Sequence, residues 1–303
     1  MGQYDLLPKR DILIMTAIIF GANGQDGYYL TILLEKQGYT VIGVSRPGKN
    51  LETDITKYEE VAALITNTNP SYIFHLAANS TTRHDALFEN HSTISTGTLN
   101  ILEAVKNISP QTKVFISGSG LQFIHDDKPI KETDAFEARD AYSVSRIQSV
   151  YAARYYRRLG LQVYMGYFFN HDSPARTERH MAKKISAFAK RIQNGSDEKL
   201  DIGDITVIKE WTYAGDVVEG IWTLVQQNNV FEANIGSGLG YSIEDWLQAC
   251  FNYIGKDWRL YIILKEGFTP EYKQLVSDST LIFSLGWKPQ LSFEQLAQMM
   301  IDQ

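Results

Sequence analysis

Two short segments carry side chains whose types and spacing could do chemistry. In "DAYSVSR", residues 140–146, Tyr142 stands four positions before Arg146 at the start of a segment with helical patterning. That spacing is one helical turn, so a phenol able to give or take a proton shares a face with a permanent cation. In "ISGSG", residues 116–120, Ser117 and Ser119 offer hydroxyls at the end of an apolar run. A third segment, "GANGQDGYYL" from residue 21, places glycines at 21, 24 and 27 directly after an apolar strand. Gly21 permits a tight turn, Gly24 lets backbone approach a pyrophosphate, and Gly27 lets helix and strand pack closely. The three segments together point to an enzyme that binds a dinucleotide.

The elements that must position these groups are legible as alternation. Short apolar runs ("TAIIFG", "TVIGVS", "YIFHLAA", "KVFISGS", "QVYMGYFF") are separated by amphipathic stretches such as "YLTILLEKQG" and "TLNILEAVKN". This predicts an α/β fold: a Rossmann-type, doubly wound parallel sheet over residues 1–170, in which 1–14 read as an extension before Met15. Residues 171–303 pattern more loosely and predict a smaller C-terminal α/β lobe for substrate, with a cleft between the two. The run "DILIMTAIIFG" is too short to span a bilayer and reads as a buried first strand.

The 303 residues are 44% hydrophobic and carry 29 Lys+Arg against 35 Asp+Glu, a net charge of -6. That balance argues against a general nucleic-acid surface and towards a small-molecule enzyme. The single cysteine, Cys250, cannot form an internal disulfide, which fits a cytoplasmic protein. His171, His180 and Cys250 show no metal-ligand grouping, so no metal is expected.

The second strand ends "VIGVSRPG", with Ser45 and Arg46 where an NAD-selective site usually has an acidic residue. Arg46 could pair with a 2′-phosphate, which favours NADP slightly over NAD. Asp54, with Ile55 beside it, could accept from the adenine amino group. The segment "HLAANS", with Leu76, Ala77 and Ala78, resembles a loop that runs past the cofactor phosphates and ribose in dinucleotide-binding enzymes.

With those residues in hand, the chain resembles the extended short-chain dehydrogenase/reductases that modify nucleotide sugars, most closely the GDP-mannose 4,6-dehydratases. The segments "GANGQDGYYL", "LAANS", "GTLNILEAV", "FFNHDSP" followed by "KKI", "KEWTYAGDVV" and "LGWKPQLSFEQL" follow the family order. The resemblance implies a catalytic Ser119 and Tyr142, with Arg146 in the position of the family's lysine. There the tyrosinate takes the proton of the sugar 4-hydroxyl while hydride leaves C4, the serine bonds the same oxygen, and the cation lowers the tyrosine pKa and holds the nicotinamide ribose. It implies cofactor contacts from Gly21, Asn23, Gly24, Gln25, Asp26, Gly27, Ser117, Tyr142, Arg146 and Phe169. It implies sugar-nucleotide contacts from Asn79, Asn170, Lys184, Lys209 and Trp211, and a dimer or a dimer of dimers built on the helix "YSVSRIQSVYAARYYRRLG".

The sequence also departs from that pattern. Arg146 keeps the charge of a lysine but is a larger planar fork. Leu121 occupies the place of the glutamate that helps the family's dehydratases expel water, and the nearest carboxylates in sequence are Asp126 and Asp127. Phe268 replaces a phosphate-binding arginine, a loss for which Lys265 or Lys273 could compensate. The expected function is therefore an NAD(P)-dependent oxidoreductase acting at C4 of a nucleotide sugar, GDP-linked by resemblance, as dehydrogenase, 4-keto reductase or epimerase. The alternatives are a 4,6-dehydratase with a relocated base and a non-catalytic dinucleotide sensor or scaffold.

Overall fold

The computed structural model describes residues 15–45 and 51–303, so the extension at 1–14 and Arg46 lie outside the described residues. The chain runs β1 (Thr16–Phe20), α1 (Gln25–Lys36), β2 (Thr40–Val44), α2 (Tyr58–Thr68), β3 (Tyr72–His75) and the short α3 (Leu87–Asn90). A π-helical turn over His91–Thr96 leads into α4 (Gly97–Ile108), then β4 (Lys113–Ser119), α5 (Ala141–Arg158), β5 (Val163–Phe168) and β6 (His171–Asp172). The remainder is α6 (Met181–Gln193), β7 (Leu200–Ile202), β8 (Ile208–Lys209), β9 (Thr212–Tyr213), α7 (Ala214–Val225), β10 (Glu232–Ile235) and β11 (Tyr241–Ser242). After these come α8 (Ile243–Tyr253), β12 (Ile262–Leu264), β13 (Gln274–Leu275), α9 (Thr280–Ser284) and α10 (Phe293–Asp302).

Six strands form one parallel sheet in the order β10-β5-β4-β3-β1-β2. The expected Rossmann-type α/β fold is therefore present. β1 and β3 are almost wholly buried, because helices cover both faces and every position along a central strand meets apolar side chains. On one face α2, α4 and α5 contribute Val61, Ile65, Ile101, Leu102, Val150 and Ala153 to the core. On the other, Leu30 and Leu34 of α1 pack with Val217, Ile221 and Leu224 of α7 and with Trp287. The strand order reverses between β1 and β3, the place where a doubly wound sheet leaves a crevice at its carboxyl ends.

The smaller lobe packs α6, α8 and α10 around Phe188, Trp246, Phe251, Leu296 and Met300. Short strand pairings, β11-β8-β13, β12-β7 and β6-β9, edge that cluster. The sheet layer does not stop at residue 170: β10 supplies its sixth strand and α7 covers it, so the chain crosses between the lobes more than once. Among the described residues no helix is long and apolar enough to cross a membrane.

Candidate active site

A cleft of about 410 Å³ opens where the carboxyl ends of β1, β3, β4 and β5 face the smaller lobe. Its floor is the turn after β1. Gly21 has φ +93, and a Cβ there would lie 2.7 Å from the Ala77 backbone nitrogen. A Cβ at Gly27 would lie 2.4 Å from the Gly21 carbonyl oxygen, so the helix can start this close to the strand only without a side chain. Gly24 is the N-cap of α1 and no side chain caps that helix end, which leaves a bare, positively polarised helix start facing the cleft. Such a cradle fits a dinucleotide diphosphate.

The wall beside it is built by β4 and the start of α5. Asp140 caps α5, accepting from the Tyr142 and Ser143 N–H groups at 2.8 Å each, while the Ser143 hydroxyl bonds back to the Asp140 N–H. This box fixes where the first turn begins and therefore where Tyr142 points. Ser119 ends β4 in extended conformation, and its Oγ accepts from the Leu121 N–H at 3.2 Å. Ser119, Tyr142 and Arg146 all line the cleft. The guanidinium carbon of Arg146 lies 4.9 Å from the Tyr142 ring centroid, and Nη1 donates to both the carbonyl and the hydroxyl of Ser117, the latter at 2.8 Å. Arg146 is only 3% exposed, and its Nε finds no partner among the described residues. The cost of that burial is partly met by the Ser117 oxygens and the aromatic face. Burial, together with the nearby Arg146 charge, pushes the His75 imidazole down to about 3, which leaves it neutral beside Arg146.

A second cluster ties the glycine loop to the segment after β5. His171 Nε2 meets Asp26 Oδ1 at 2.8 Å, and its Nδ1 lies 2.7 Å from the Phe169 carbonyl oxygen. Gln25 accepts from the Ser173 hydroxyl at 2.7 Å, and Arg176 donates to the His171 carbonyl at 3.2 Å. Burial opposes the charge on Asp26, but the His171 charge and hydrogen bond outweigh it and hold the carboxyl well below the usual range. Burial likewise opposes the charge on His171, and the Asp26 carboxylate more than compensates, raising the imidazole. Asp172 is paired with Arg176 at 3.6 Å. Asp26 and Asp172 are the two carboxylates that line the cleft among the described residues, and each already has a cation.

Residues 18–300 match the family model described as GDP-mannose 4,6 dehydratase. The Arabidopsis thaliana GDP-mannose 4,6 dehydratase 2 is 31% identical over 336 residues, covering 98% of this chain and 89% of the relative. The chain belongs to the GDP-mannose 4,6-dehydratase family. The human GDP-mannose 4,6 dehydratase is 26% identical over 334 residues, covering 94% of this chain and 90% of its own. Among solved structures, RMD from Pseudomonas aeruginosa complexed with NADPH superposes with a TM-score of 0.83 at 19% identity, covering 95% of this chain and 97% of that one. The Thermus thermophilus UDP-glucose 4-epimerase complex with NAD does so at 0.80 and 18%, covering 95% and 98%. At these identities the likeness is one of fold.

Of the residues expected from the family pattern, Gly21, Asn23, Gly24, Gln25, Asp26, Gly27, Leu76, Ala78, Ser117, Phe169, Asn170 and Lys209 also line the cleft. The Gln25 and Asp26 side chains, however, are engaged with residues 171–173, so what they can offer a cofactor is backbone N–H. The Asn23 amide donates to the Ser45 hydroxyl at 2.6 Å, joining the glycine loop to the end of β2. Asn170 Oδ1 is buried without a hydrogen-bond partner among the described residues, an open acceptor in the cleft.

Other expected residues lie elsewhere. Ile55 packs under Gly97, and Asp54 bonds Thr56 and Lys57 at the surface. Ala77 backs the glycine turn, and the Asn79 amide donates to Glu89 at 2.9 Å. Trp211 does not reach the cleft. It stacks on Trp246 at 4.6 Å in the core of the smaller lobe, donating to the Tyr241 carbonyl at 3.0 Å, with the Lys209 ammonium 4.5 Å from its ring. Lys184 lies at a second cavity of about 510 Å³, shared with Lys209, Lys265, Phe268 and Tyr272.

Sequence reasoning missed Arg176, Arg179, His180 and Tyr272, all of which line the cleft. The density of cations in "SPARTERHMAKK" is the one signal that could have drawn notice. Burial pushes the His180 imidazole down to about 4, where it is neutral, and pushes the Lys209 ammonium down as well. No cluster of three or more His, Cys, Asp or Glu able to hold a metal occurs among the described residues.

Proposed function

We propose that the chain is an NADP- or NAD-dependent oxidoreductase acting at C4 of a nucleotide sugar, as dehydrogenase, 4-keto reductase or 4-epimerase. One observation carries the reading. Ser119, Tyr142 and Arg146 share one cleft wall beside the glycine cradle, while both carboxylates that line the cleft are committed to cations. Hydride transfer at C4 needs an acid/base at the 4-oxygen, whereas elimination of water needs a further base at C5. Leu121 cannot accept a proton, and Asp126 is a surface residue paired with Lys128.

The nicotinamide, when bound, supplies the acceptor or donor of hydride; solved neighbours of this fold are described with NADPH and with NAD. The chain's own residues do the rest. Uncapped N–H groups at the start of α1 hold the diphosphate, the Ser45–Arg46 sequence tilts the choice towards NADP, and Ser119 and Tyr142 hold the sugar O4. Tyr142 moves the O4 proton, and the Arg146 guanidinium lies over its ring. Asn170 and Lys209 are placed for the sugar diphosphate, and the cavity bounded by Lys184, Lys265 and Tyr272 for the nucleoside, with GDP proposed from the family.

The test is incubation with a panel of GDP-linked hexoses and 6-deoxyhexoses plus NADP or NAD, read by mass spectrometry. A dehydrogenase product has lost the mass of two hydrogens, whereas a 4-epimer keeps its mass and is separated from the parent by chromatography. Loss of one water would establish dehydration instead, and sugars unchanged in both mass and retention, with cofactor bound, would favour a sensor.

Assembly is the second part of the proposal. Tyr151 and Tyr155, one turn apart on α5, are 60% and 58% exposed, and Phe88 is 84% exposed. Aromatic surface of this kind on a helix invites a two-fold partner. Light scattering at micromolar concentration should give at least a dimer, and Tyr151→Glu with Tyr155→Glu should shift it to monomer; a monomeric parent would refute this.

A further inference from the structure

The cleft wall next to Ser119 and Tyr142 is apolar, and its composition bears on which sugar fits. Leu121 is fixed there by its N–H, which bonds the Ser119 Oγ. Phe169 packs over Gly120, where a Cβ would come within 2.9 Å of its ring. Leu121 and Tyr272 pack against the core cluster that contains Phe169 and Leu275, and all four line the cleft. Behind this wall Gln122 Oε1 accepts from the Ser119 N–H at 2.9 Å and His125 Nε2 lies 3.3 Å from the Gly120 carbonyl oxygen; Gln122 Nε2 and His125 Nδ1 are buried without partners among the described residues, and neither residue lines the cleft.

A pyranose held by its 4-oxygen has two different neighbours beside C4. In an ordinary hexose or 6-deoxyhexose C3 carries a hydroxyl, whereas C5 carries C6, which is wholly apolar when it is a methyl. A hydroxymethyl or carboxylate placed against leucine and aromatic rings loses hydrogen bonds to water without replacement; a methyl loses none. We propose that this wall receives C6 of the sugar and selects a methyl there, so that the substrate is a nucleoside-diphosphate 6-deoxyhexose in its 4-keto or 4-hydroxy form.

This rests on the C4 reading above. In the reductive direction C4 of the ketone gains hydride from a reduced nicotinamide dinucleotide, the carbonyl π bond opens, and its oxygen takes the Tyr142 proton, which solvent restores. The products are the 4-hydroxy sugar and the oxidised dinucleotide. A 4-keto-6-deoxy sugar is what a 4,6-dehydration leaves, so that class of reaction must supply this substrate.

The decisive comparison is a matched pair, GDP-mannose and GDP-6-deoxymannose, which differ only by the 6-hydroxyl. With oxidised dinucleotide, kcat/KM followed by nicotinamide absorbance should favour the 6-deoxy sugar ~10- to 100-fold, the range for one hydroxyl against an apolar pocket. Calorimetry should show the same order of affinity. Leu121→Gln should bring both ratios towards one, and Leu121→Met, which keeps the wall apolar, should preserve them. Equal or reversed preference, unmoved by Leu121→Gln, overturns the inference while leaving the C4 reading standing. If neither sugar is turned over, the C4 reading falls and the calorimetric ratio alone decides the C6 contact; if neither binds, both fall.

Discussion

Replacing Tyr142 by phenylalanine should lower turnover of the sugar nucleotide by about 10²–10⁴-fold, the usual worth of a positioned acid/base. Dinucleotide affinity should stay near that of the parent, because the ring, the Asp140 cap and the Arg146–ring contact do not involve the hydroxyl. Arg146→Ala should impair both turnover and cofactor binding, since it removes the cation from the cleft wall and leaves the Ser117 carbonyl and hydroxyl without their donor. Arg146→Lys separates two readings of this site. An ammonium can reach one of those oxygens but cannot reproduce the planar fork, so a site built around the guanidinium loses activity on this change. Steady-state kinetics with dinucleotide titrations on the three variants is the measurement. A phenylalanine variant that turns over like the parent would reduce Tyr142 and Arg146 to neighbours on a helix.

Asp26→Ala should destabilise the protein by about 3 kcal/mol near pH 5–6, the cost of leaving one member of a largely buried ion pair without its partner. The pH dependence follows from the two shifts. The Asp26 pKa is depressed in the fold, so its contribution is present above its unfolded value of 3.8 and is lost as pH falls. The His171 pKa is raised, so its contribution is present below its unfolded value of 6.5 and is lost as pH rises through the folded value. Both are in force between about pH 4 and 6.5. The difference in denaturation midpoint between parent and variant should be greatest in that window and should narrow on the alkaline side as the parent's imidazole loses its proton. A difference that does not change with pH would mean the pair is not ionised. Because Asp26 lies in the glycine loop and His171 directly follows Asn170, the same variant should weaken dinucleotide binding.

Other long-range ties are visible only in three dimensions. Glu210, fully buried, accepts from the Ser277 N–H at 2.6 Å and from the Ser237 N–H, so it joins the strand carrying Lys209 to the loop after β10 and to the end of β13. Nothing in "KEWTYAGDVV" marks that glutamate as an anchor. The same segment shows how a family pattern can name a residue without placing it: Lys209 reaches the cleft, whereas Trp211 turns into the core against Trp246.

The sequence by itself determined the alternation of strands and helices, the glycine turn, and the one-turn spacing of Tyr142 and Arg146 at the start of a helix. Each of these depends on near neighbours: the period of apolar residues, the absence of a Cβ, and a cap three residues long. Only the tertiary structure decided what Arg146 bonds to, that Asp26 is spent on His171, that Lys184 faces a second cavity, and that Leu121 shares an apolar wall with Phe169, Tyr272 and Leu275. Those outcomes join residues far apart in the chain, such as Asp26 and His171, 145 positions apart. Pairings at that distance are fixed by how the lobes pack and by the need to satisfy polar groups once water is excluded, conditions that no local pattern records.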